Sequence, residues 1–197
     1  MNLGIYETMT LLLILIVLSV LISIVIVSWR NGISPMPTSK RVSRVVVSEV
    51  KRLAGLGLIV EAGSGWGTLG IQVARSCKGI RLVGIENSPI PLWVSKAMAW
   101  LAFGVHPKPR SVRSASSGVA VTFRKGNIYS YSYARADLVI CYLYPGAMQR
   151  LGPIFREQLA PGASVISVCF ALPGWQPAKV ITCGDLYRTR VYVYKKE

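Results

Sequence analysis

The hydrophobic pattern of the chain begins with one long apolar run. Residues 8–29 carry no charge, and LLLILIVLSVLISIVIV fills residues 11–27. At about 1.5 Å per residue, a helix over residues 8–29 extends about 33 Å, enough to cross a hydrocarbon core of about 30 Å. A cleaved signal peptide would carry basic residues ahead of the run, and a core helix of this length would be unusually apolar on all sides. The pattern therefore predicts an uncleaved transmembrane anchor over residues 1–30, which contacts the lipid bilayer through residues 8–29.

The pattern changes after this run. We predict a linker at residues 31–37, a capped amphipathic helix up to about Leu53, and one folded domain over residues 38–197. Within the domain, short apolar runs alternate with segments of helical periodicity, which predicts an α/β fold with a mostly parallel sheet. Strands are expected at residues 57–62, 80–86, 119–126, 136–144 and 164–172, helices at 68–77, 91–104 and 147–162 (the last with an internal break), and a C-terminal antiparallel hairpin at 179–196.

Charge adds an expectation about location. The chain has 23 basic and eight acidic residues, and one of these charges, Glu7, precedes residue 30. Basic residues directly after a span favour the cytoplasmic side. We therefore expect a single-pass membrane protein with a cytoplasmic C-terminal domain, in the plasma membrane of a prokaryote or the mitochondrial inner membrane of a eukaryote. The basic excess also suggests contact with anionic lipid, through a basic loop at residues 105–118 among others, and we expect no nucleic-acid partner.

One motif carries the chemistry. The sequence VEAGSGWGTLG places Glu61 at the end of the first strand, before Gly63, Gly65 and Gly67. Glycines at such a turn let the backbone approach a ligand closely. The second strand ends at Glu86, and an acid in this place accepts hydrogen bonds from ribose hydroxyls in parallel α/β sheets. The motif predicts a nucleoside-containing ligand across the carboxyl ends of these two strands.

Two classes of ligand share this geometry. A dinucleotide needs G-x-G-x-x-G, with its pyrophosphate at the helix N-terminus. Here the spacing is G-S-G-W-G, and Glu61 would repel a pyrophosphate. A carboxylate suits the ammonium group of S-adenosylmethionine, whose ribose would then lie at Glu86. The residues therefore favour S-adenosylmethionine as the cofactor. The sequence contains no C-x-x-C pair and no Cys/His cluster, so we expect no metal site.

Five segments together resemble a known family. The chain resembles the class I S-adenosylmethionine-dependent methyltransferases, and within them the membrane-anchored lysine N-methyltransferases of adenine nucleotide translocase and the ATP synthase c subunit. The resemblance implies a Rossmann-like class I methyltransferase fold. It rests on PMPTSKRV (35–42), VEAGSGWGTLGIQVA (60–74), VGIENSPIPLWVSKAMAW (83–100), DLVICYLYPGAM (137–148) and LAPGASVISVCFALPGWQP (159–177).

The resemblance assigns roles to residues of the cofactor site. It places Asn87 beside the adenine, next to the ribose acceptor Glu86. After the third strand, the family usually has an acid near the adenine amine. Asn127 stands there in this chain, and its amide oxygen can still accept a hydrogen bond without a charge. The loop around the methionine end would be formed by Glu61, Gly63, Gly65 and Gly67.

The resemblance also implies an acceptor site. Its residues follow the fourth and fifth strands, and the catalytic set would be Tyr142, Tyr144, Pro145, Phe170 and Trp175. Leu143 and Pro173 would line the same entrance. Aromatic walls that exclude water would lower the pKa of a lysine amine and so favour its nucleophilic form. No acid occupies a convincing position for a general base. We interpret Trp93 and Trp100, seven residues apart on one helix, as packing residues.

The function implied is S-adenosylmethionine-dependent methylation of a lysine on a membrane-associated protein. A nucleic-acid methyltransferase is disfavoured, because Tyr142-Leu143-Tyr144-Pro145 replaces the DPPY-like or NPPY-like tetrad that amino-methylating nucleic-acid enzymes often carry. Two further alternatives stay open at this point. The same chemistry could act on a small molecule in the lipid phase, such as a quinone or a phospholipid amine. The chain could also be a non-catalytic membrane protein that binds the cofactor.

Overall fold

A computed structural model describes residues 4–31, 38–53, 55, 57–104 and 120–197. Its contacts divide the chain into two units, Met1–Pro35 and Met36–Glu197. In the first unit, helix α1 spans Ile5–Asn31 and contains an apolar stretch, Ile5–Ile22, that is long enough to cross a membrane. Asn31 thus belongs to the helix, whereas the rest of the expected linker lies outside the described residues.

The second unit is an α/β domain whose elements follow the predicted order. The expected basic loop at residues 105–118 lies outside the described part of the chain. The bounds are α2 Lys40–Arg52, β1 Leu58–Ala62, α3 Thr68–Ser76, β2 Arg81–Glu86, α4 Pro89–Phe103, β3 Ala120–Lys125, β4 Leu138–Cys141, α5 Pro145–Gln158, β5 Ser164–Val168, β6 Lys179–Thr182 and β7 Arg190–Lys195.

The described strands form one seven-stranded sheet in the order β3-β2-β1-β4-β5-β7-β6. Strands β1 to β5 are parallel, and β7 joins β5 and β6 in antiparallel pairing. This confirms the Rossmann-like class I methyltransferase fold with a C-terminal antiparallel hairpin. The direction of winding reverses between β1 and β4, so a crevice opens at the carboxyl ends of these two strands.

Helices cover both sides of the sheet. We call the side that carries Ile59 and Leu138 the front and the side that carries Val60 and Val139 the back, since alternate residues of a strand point in opposite directions. Helices α2, α3 and α4 pack on the front, and α5 with part of the β3–β4 connection packs on the back. This arrangement leaves the carboxyl ends of the strands free to form a site.

Helix α5 corrects one prediction. We expected a break within residues 147–162, but the helix is continuous through Pro153. Proline removes the hydrogen bond to the carbonyl four residues earlier. Both Pro153 and Gln149 are exposed, so water can bond the freed carbonyl, and the buried residues of the same helix hold it on the sheet.

A substitution of Phe155 tests the packing on the back of the sheet. Its ring is fully buried and meets the ring of Tyr133 edge-on at 4.9 Å. We expect Phe155→Ala to lower the free energy of unfolding by about 3–5 kcal/mol, because it removes packed apolar surface and leaves a cavity. Urea denaturation measures this loss. Leu186→Ala is the control, since Leu186 is 89% exposed and its truncation should change stability by less than about 0.5 kcal/mol. Equal effects would contradict the prediction.

Candidate active site

The loop after β1 has a backbone that favours glycine at three positions. Gly63, Gly65 and Gly67 have φ values of 72°, 50° and 75°, in the left-handed region that other residues rarely adopt. The backbone N–H groups of Gly63 and Ser64 donate to the carbonyl of Ile85 at 3.0 Å. The loop is therefore fixed against the end of β2, with Gly67 as the N-cap of α3.

The glycine loop also lies close to the end of β4. A Cβ atom on Gly63 would lie 2.5 Å from Cδ2 of Leu143. Leu143 is half-buried. The expected crevice between β1 and β4 is thus bordered by glycine backbone on one side and by an apolar side chain on the other.

Glu86 stabilises this loop directly. The carboxylate is buried, and its Oε2 accepts a hydrogen bond from the Gly65 N–H at 2.8 Å. Its Oε1 accepts another from the Ser88 N–H at 2.8 Å. Each carboxylate oxygen can accept a second hydrogen bond, so these contacts leave capacity for ribose hydroxyls. The sequence motif identified the acid but did not reveal its structural role.

Glu61 is buried beside the same loop. It is 4% exposed, and its Oε2 has no hydrogen-bond partner. A Cβ atom at Gly70 would collide with this oxygen, so the glycine in α3 makes room for the carboxyl. Burial raises the pKa of Glu61 from its ordinary 4.5 to about 8, the Gly70 backbone amide lowers it in part, and the Glu86 carboxylate raises it further.

The two buried side-chain oxygens without a partner among the described residues both belong to this region. They are Glu61 Oε2 and Ser64 Oγ. Buried polar atoms are normally hydrogen-bonded, so a pair of such atoms at one loop indicates a polar ligand. A carboxyl in this position fits the ammonium end of S-adenosylmethionine, and the glycines leave room for its close approach.

The raised pKa of Glu61 gives a pH-dependent stability without ligand. From about pH 4.5 to about pH 8 the folded protein retains a proton that the unfolded chain has released, so the free energy of unfolding falls as pH rises through this range. Glu61→Gln should remove this fall and be more stable than the parent by roughly 3–5 kcal/mol at pH 8. Urea denaturation at a series of pH values tests this. Parallel pH profiles for the two proteins would contradict it.

Two asparagines lie where the sequence predicted that the adenine of the cofactor would bind. Asn87 follows β2 and is exposed, with its Oδ1 accepting from the Ser88 hydroxyl at 3.1 Å. Asn127 follows β3 and is exposed, with its Oδ1 accepting from the Tyr129 N–H at 2.9 Å. The Gly126 N–H donates to the Glu86 carbonyl at 3.0 Å, which holds the two strand ends side by side. Both asparagines thus lie at the edge of the site that holds Glu86.

The two tyrosines that follow β4 lie in different surroundings. Tyr142 packs on the front with Cys169 and Ile181, and burial raises its pKa, with Cys169 and Asp185 adding to the shift. Tyr144 precedes α5 as its N-cap. Burial and a side-chain hydrogen bond with Tyr144 raise the pKa of the neighbouring Tyr129 to about 12. Pro145, the first residue of α5, is exposed at the same end of the sheet.

Trp175 is separated from Tyr142. Its Nε1 donates to the Gly152 carbonyl in α5 at 3.3 Å, and its ring lies edge-on to Tyr194 at 6.1 Å on the back of the sheet. The two rings pack in clusters on opposite sides of the sheet, and their joint contribution to an acceptor entrance stays a prediction. Phe170 follows β5 and is 37% exposed, and its carbonyl accepts a hydrogen bond from the Ser167 hydroxyl.

Sequence reasoning placed Leu143 at the acceptor entrance but did not show that it lies over Gly63. It missed two other contacts: Tyr129 lies beside Tyr144, and Asp185 lies near Tyr142. Both of these join distant parts of the chain. No group of three or more potential metal ligands occurs in the described ranges.

Comparisons with known proteins agree with this geometry. The sequence profile of the ANTKMT methyltransferase domain matches residues 61–179, which is more than half of the chain and includes the glycine loop and β2 to β5. The chain belongs to this methyltransferase family. It is therefore an S-adenosylmethionine-dependent methyltransferase. The match to the family begins at Glu61, the first residue of the Glu61–Gly67 loop.

Three similar proteins extend the comparison. A protein-lysine N-methyltransferase of Saccharolobus islandicus (strain REY15A) is 26% identical over 169 residues, covering 85% of this chain and 96% of the relative. The adenine nucleotide translocase lysine N-methyltransferase of Mus musculus is 28% identical over 139 residues, covering 70% of this chain and 53% of the mouse protein. The RNA methyltransferase from Salinibacter ruber, whose crystal structure contains S-adenosyl-L-homocysteine, is 32% identical in sequence to this chain. The two structures superpose with a TM-score of 0.62, and the match covers 81% of this chain and 93% of the Salinibacter chain.

Proposed function

We propose that this methyltransferase transfers methyl groups to lysine side chains of a membrane-associated protein while α1 holds it in the bilayer. The observation that carries the acceptor class is the match to two lysine N-methyltransferases, one of them over nearly its whole length. The apolar helix α1 and the basic excess support the membrane location, with the domain on the cytoplasmic side.

The buried acids of the glycine loop would hold the two ends of the cofactor. Bound S-adenosylmethionine supplies a methyl carbon activated by a sulfonium. Glu61 would receive its ammonium group, because Glu61 Oε2 is buried and unpartnered, and this contact would favour the ionised carboxylate. Glu86 would accept from the ribose hydroxyls while it keeps the Gly65 N–H bond. Asn87 and Asn127 would border the adenine.

The residues after β4 and β5 would form the acceptor entrance. We assign Tyr142, Tyr144, Pro145 and Phe170 to this entrance and leave Trp175 out of it, because Trp175 packs under α5. These residues would exclude water from the lysine amine and hold it in line with the methyl group. The cofactor would supply the methyl carbon and keep the carbon–sulfur electron pair, while these residues would hold the amine that accepts the methyl group and releases its proton to water.

This chemistry needs no dedicated general base. Asp137, an acid outside the cofactor loop, accepts from the Gly57 and Leu58 N–H groups at 2.9 and 2.6 Å, at the start of β1 and so at the opposite edge of the sheet. Asp185 accepts from the Thr189 N–H and hydroxyl at 2.8 and 2.6 Å, and these bonds lower its pKa. Such a carboxylate is a poor proton acceptor at neutral pH.

A labelling experiment separates the possible acceptors. The full chain is reconstituted in vesicles, mixed with membranes from its own source and given S-adenosylmethionine with a labelled methyl group. The label is then measured in the protein, lipid and RNA fractions, with Glu86→Ala as the inactive control. We expect label in protein, with mass increments of one methylene per step on lysine. Label in lipid would support a lipid-phase acceptor, and label in RNA would agree with the Salinibacter neighbour; either would overturn the lysine proposal.

A further inference from the structure

Helix α4 has an outer side that is unusual for a water-exposed helix. Its inner side is buried at Leu92 and Ser95. On the outer side, Trp93, Trp100 and Leu101 are 69%, 54% and 74% exposed. Lys96 is the single charged residue of this 15-residue helix. Outer sides of globular helices usually carry mostly charged and polar residues, so this side is expected to contact something other than water.

The neighbouring helices supply positive charge. Their exposed basic residues are Lys40, Arg41, Arg44, Lys51 and Arg52 in α2, and Arg75 and Lys78 at the end of α3. Within the described residues of α2, α3 and α4, the one acid is Glu49, which is buried and paired with Lys179 at 2.7 Å. We call the exposed sides of these three helices the outer helical surface. It combines tryptophans with basic residues and presents no exposed carboxylate.

The three helices lie in one layer. All of them contribute to the same cluster on the front of the sheet, and α3 contacts both α2 and α4. Their exposed sides therefore face away from the sheet in a common direction. One flat partner can therefore contact the basic residues of α2 and α3 and the tryptophans of α4 at the same time.

We propose that the outer helical surface of the catalytic domain binds an anionic lipid bilayer peripherally. Tryptophan prefers the headgroup level of a membrane, because its ring is apolar and its indole N–H is polar. Lysine and arginine near an anionic surface are attracted to the lipid phosphates, and they extend their charged ends toward them. The contact is distinct from α1, and it would fix which side of the domain faces the lipid.

The surface favours lipid over a protein partner for two reasons. The exposed charges of these helices are all positive among the described residues, which matches the single negative sign of an anionic lipid surface, whereas a protein surface usually carries both signs interspersed. The inference also rests on the proposed membrane location, which would bring the domain within reach of a bilayer. Coverage of α4 by another part of the chain or by a protein is tested as an outcome below.

Quenching of tryptophan fluorescence tests the proposal on the full chain. The protein is reconstituted in vesicles of phosphatidylcholine and phosphatidylglycerol whose acyl chains carry bromine near the headgroup, and in vesicles of phosphatidylcholine alone. Carbonate extraction first establishes whether α1 is inserted, so failure of the anchor is recognised separately. The parent is compared with Trp93→Phe/Trp100→Phe and with the control Trp175→Phe, which alters a ring that packs on the back of the sheet. Cofactor binding verifies that each variant is folded.

We expect the double variant to lose a large share of the emission that brominated lipid quenches, whereas Trp175→Phe retains it. The difference should shrink in vesicles without anionic lipid. If the chain resists extraction and the double variant is quenched like the parent, the proposal is wrong. It is also overturned if acrylamide in the water, and not brominated lipid, quenches Trp93 and Trp100, or if neither reagent reaches them, as coverage by protein would require.

Discussion

Glu86→Ala is expected to weaken the binding of S-adenosylmethionine by about 100-fold or more. The variant removes the acceptor of the Gly65 and Ser88 N–H groups as well as the proposed acceptor of the ribose hydroxyls. Each hydrogen bond to a charged group contributes about 1.5–3 kcal/mol, and about 1.4 kcal/mol corresponds to a tenfold change in affinity. Calorimetric titration at a temperature well below unfolding measures the effect.

Asp137→Ala is the matched control for this experiment. Asp137 also accepts two backbone N–H groups, from Gly57 and Leu58, but at the other edge of the sheet. Both variants should lose a similar few kcal/mol of stability, about 1.5–3 kcal/mol per bond, while Asp137→Ala should keep its cofactor affinity. Equal losses of affinity would mean that Glu86 acts only on folding and would remove it from the cofactor site.

Gly67→Ala is expected to disrupt the glycine loop. A Cβ atom at this position would lie 2.7 Å from both Phe123 Cζ and Ser95 Cβ, and the φ of 75° disfavours any residue with a Cβ. The left-handed backbone costs about 1–2 kcal/mol and overpacking about 1–3 kcal/mol. We expect a loss of about 2–5 kcal/mol in the free energy of unfolding, measured with urea, and a fall of at least about tenfold in cofactor affinity because the loop must shift.

Gly79→Ala separates the two contributions. Gly79 has the same φ of 75°, but a Cβ atom there would meet no atom within 4 Å. This control should lose only the backbone contribution of about 1–2 kcal/mol and should bind the cofactor normally. If both variants behaved alike, the close packing of Gly67 against β3 and α4 would be unimportant for the site.

The sequence predicted the elements and the cofactor loop because both depend on local signals. Short apolar runs predicted the positions of the strands. The sequence from Glu61 to Gly67 predicted the turn between β1 and α3, where the structure has it. The acid at the end of β2 was found for the same reason. Its bonds to the loop could not be read from the sequence, because they join residues 21 positions apart.

Contacts between distant segments could not be predicted. Trp175 was assigned to the acceptor entrance from its motif, and its packing against α5 and β7 could not be read from the sequence. The spacing of Trp93 and Trp100 correctly put them on one side of α4, yet we interpreted that side as packed, and it is exposed. Periodicity defines the sides of a helix and leaves open which of them contacts the core.

Among the described strands, β6 lies at one edge of the sheet, has four residues and pairs with β7 alone. Such an edge exposes free backbone groups that another chain can pair with. Lys179 lies in this strand, and its ammonium forms an ion pair with Glu49. A short edge strand that contains a lysine discourages intermolecular strand pairing, because a second chain that paired there would have to accommodate this charge.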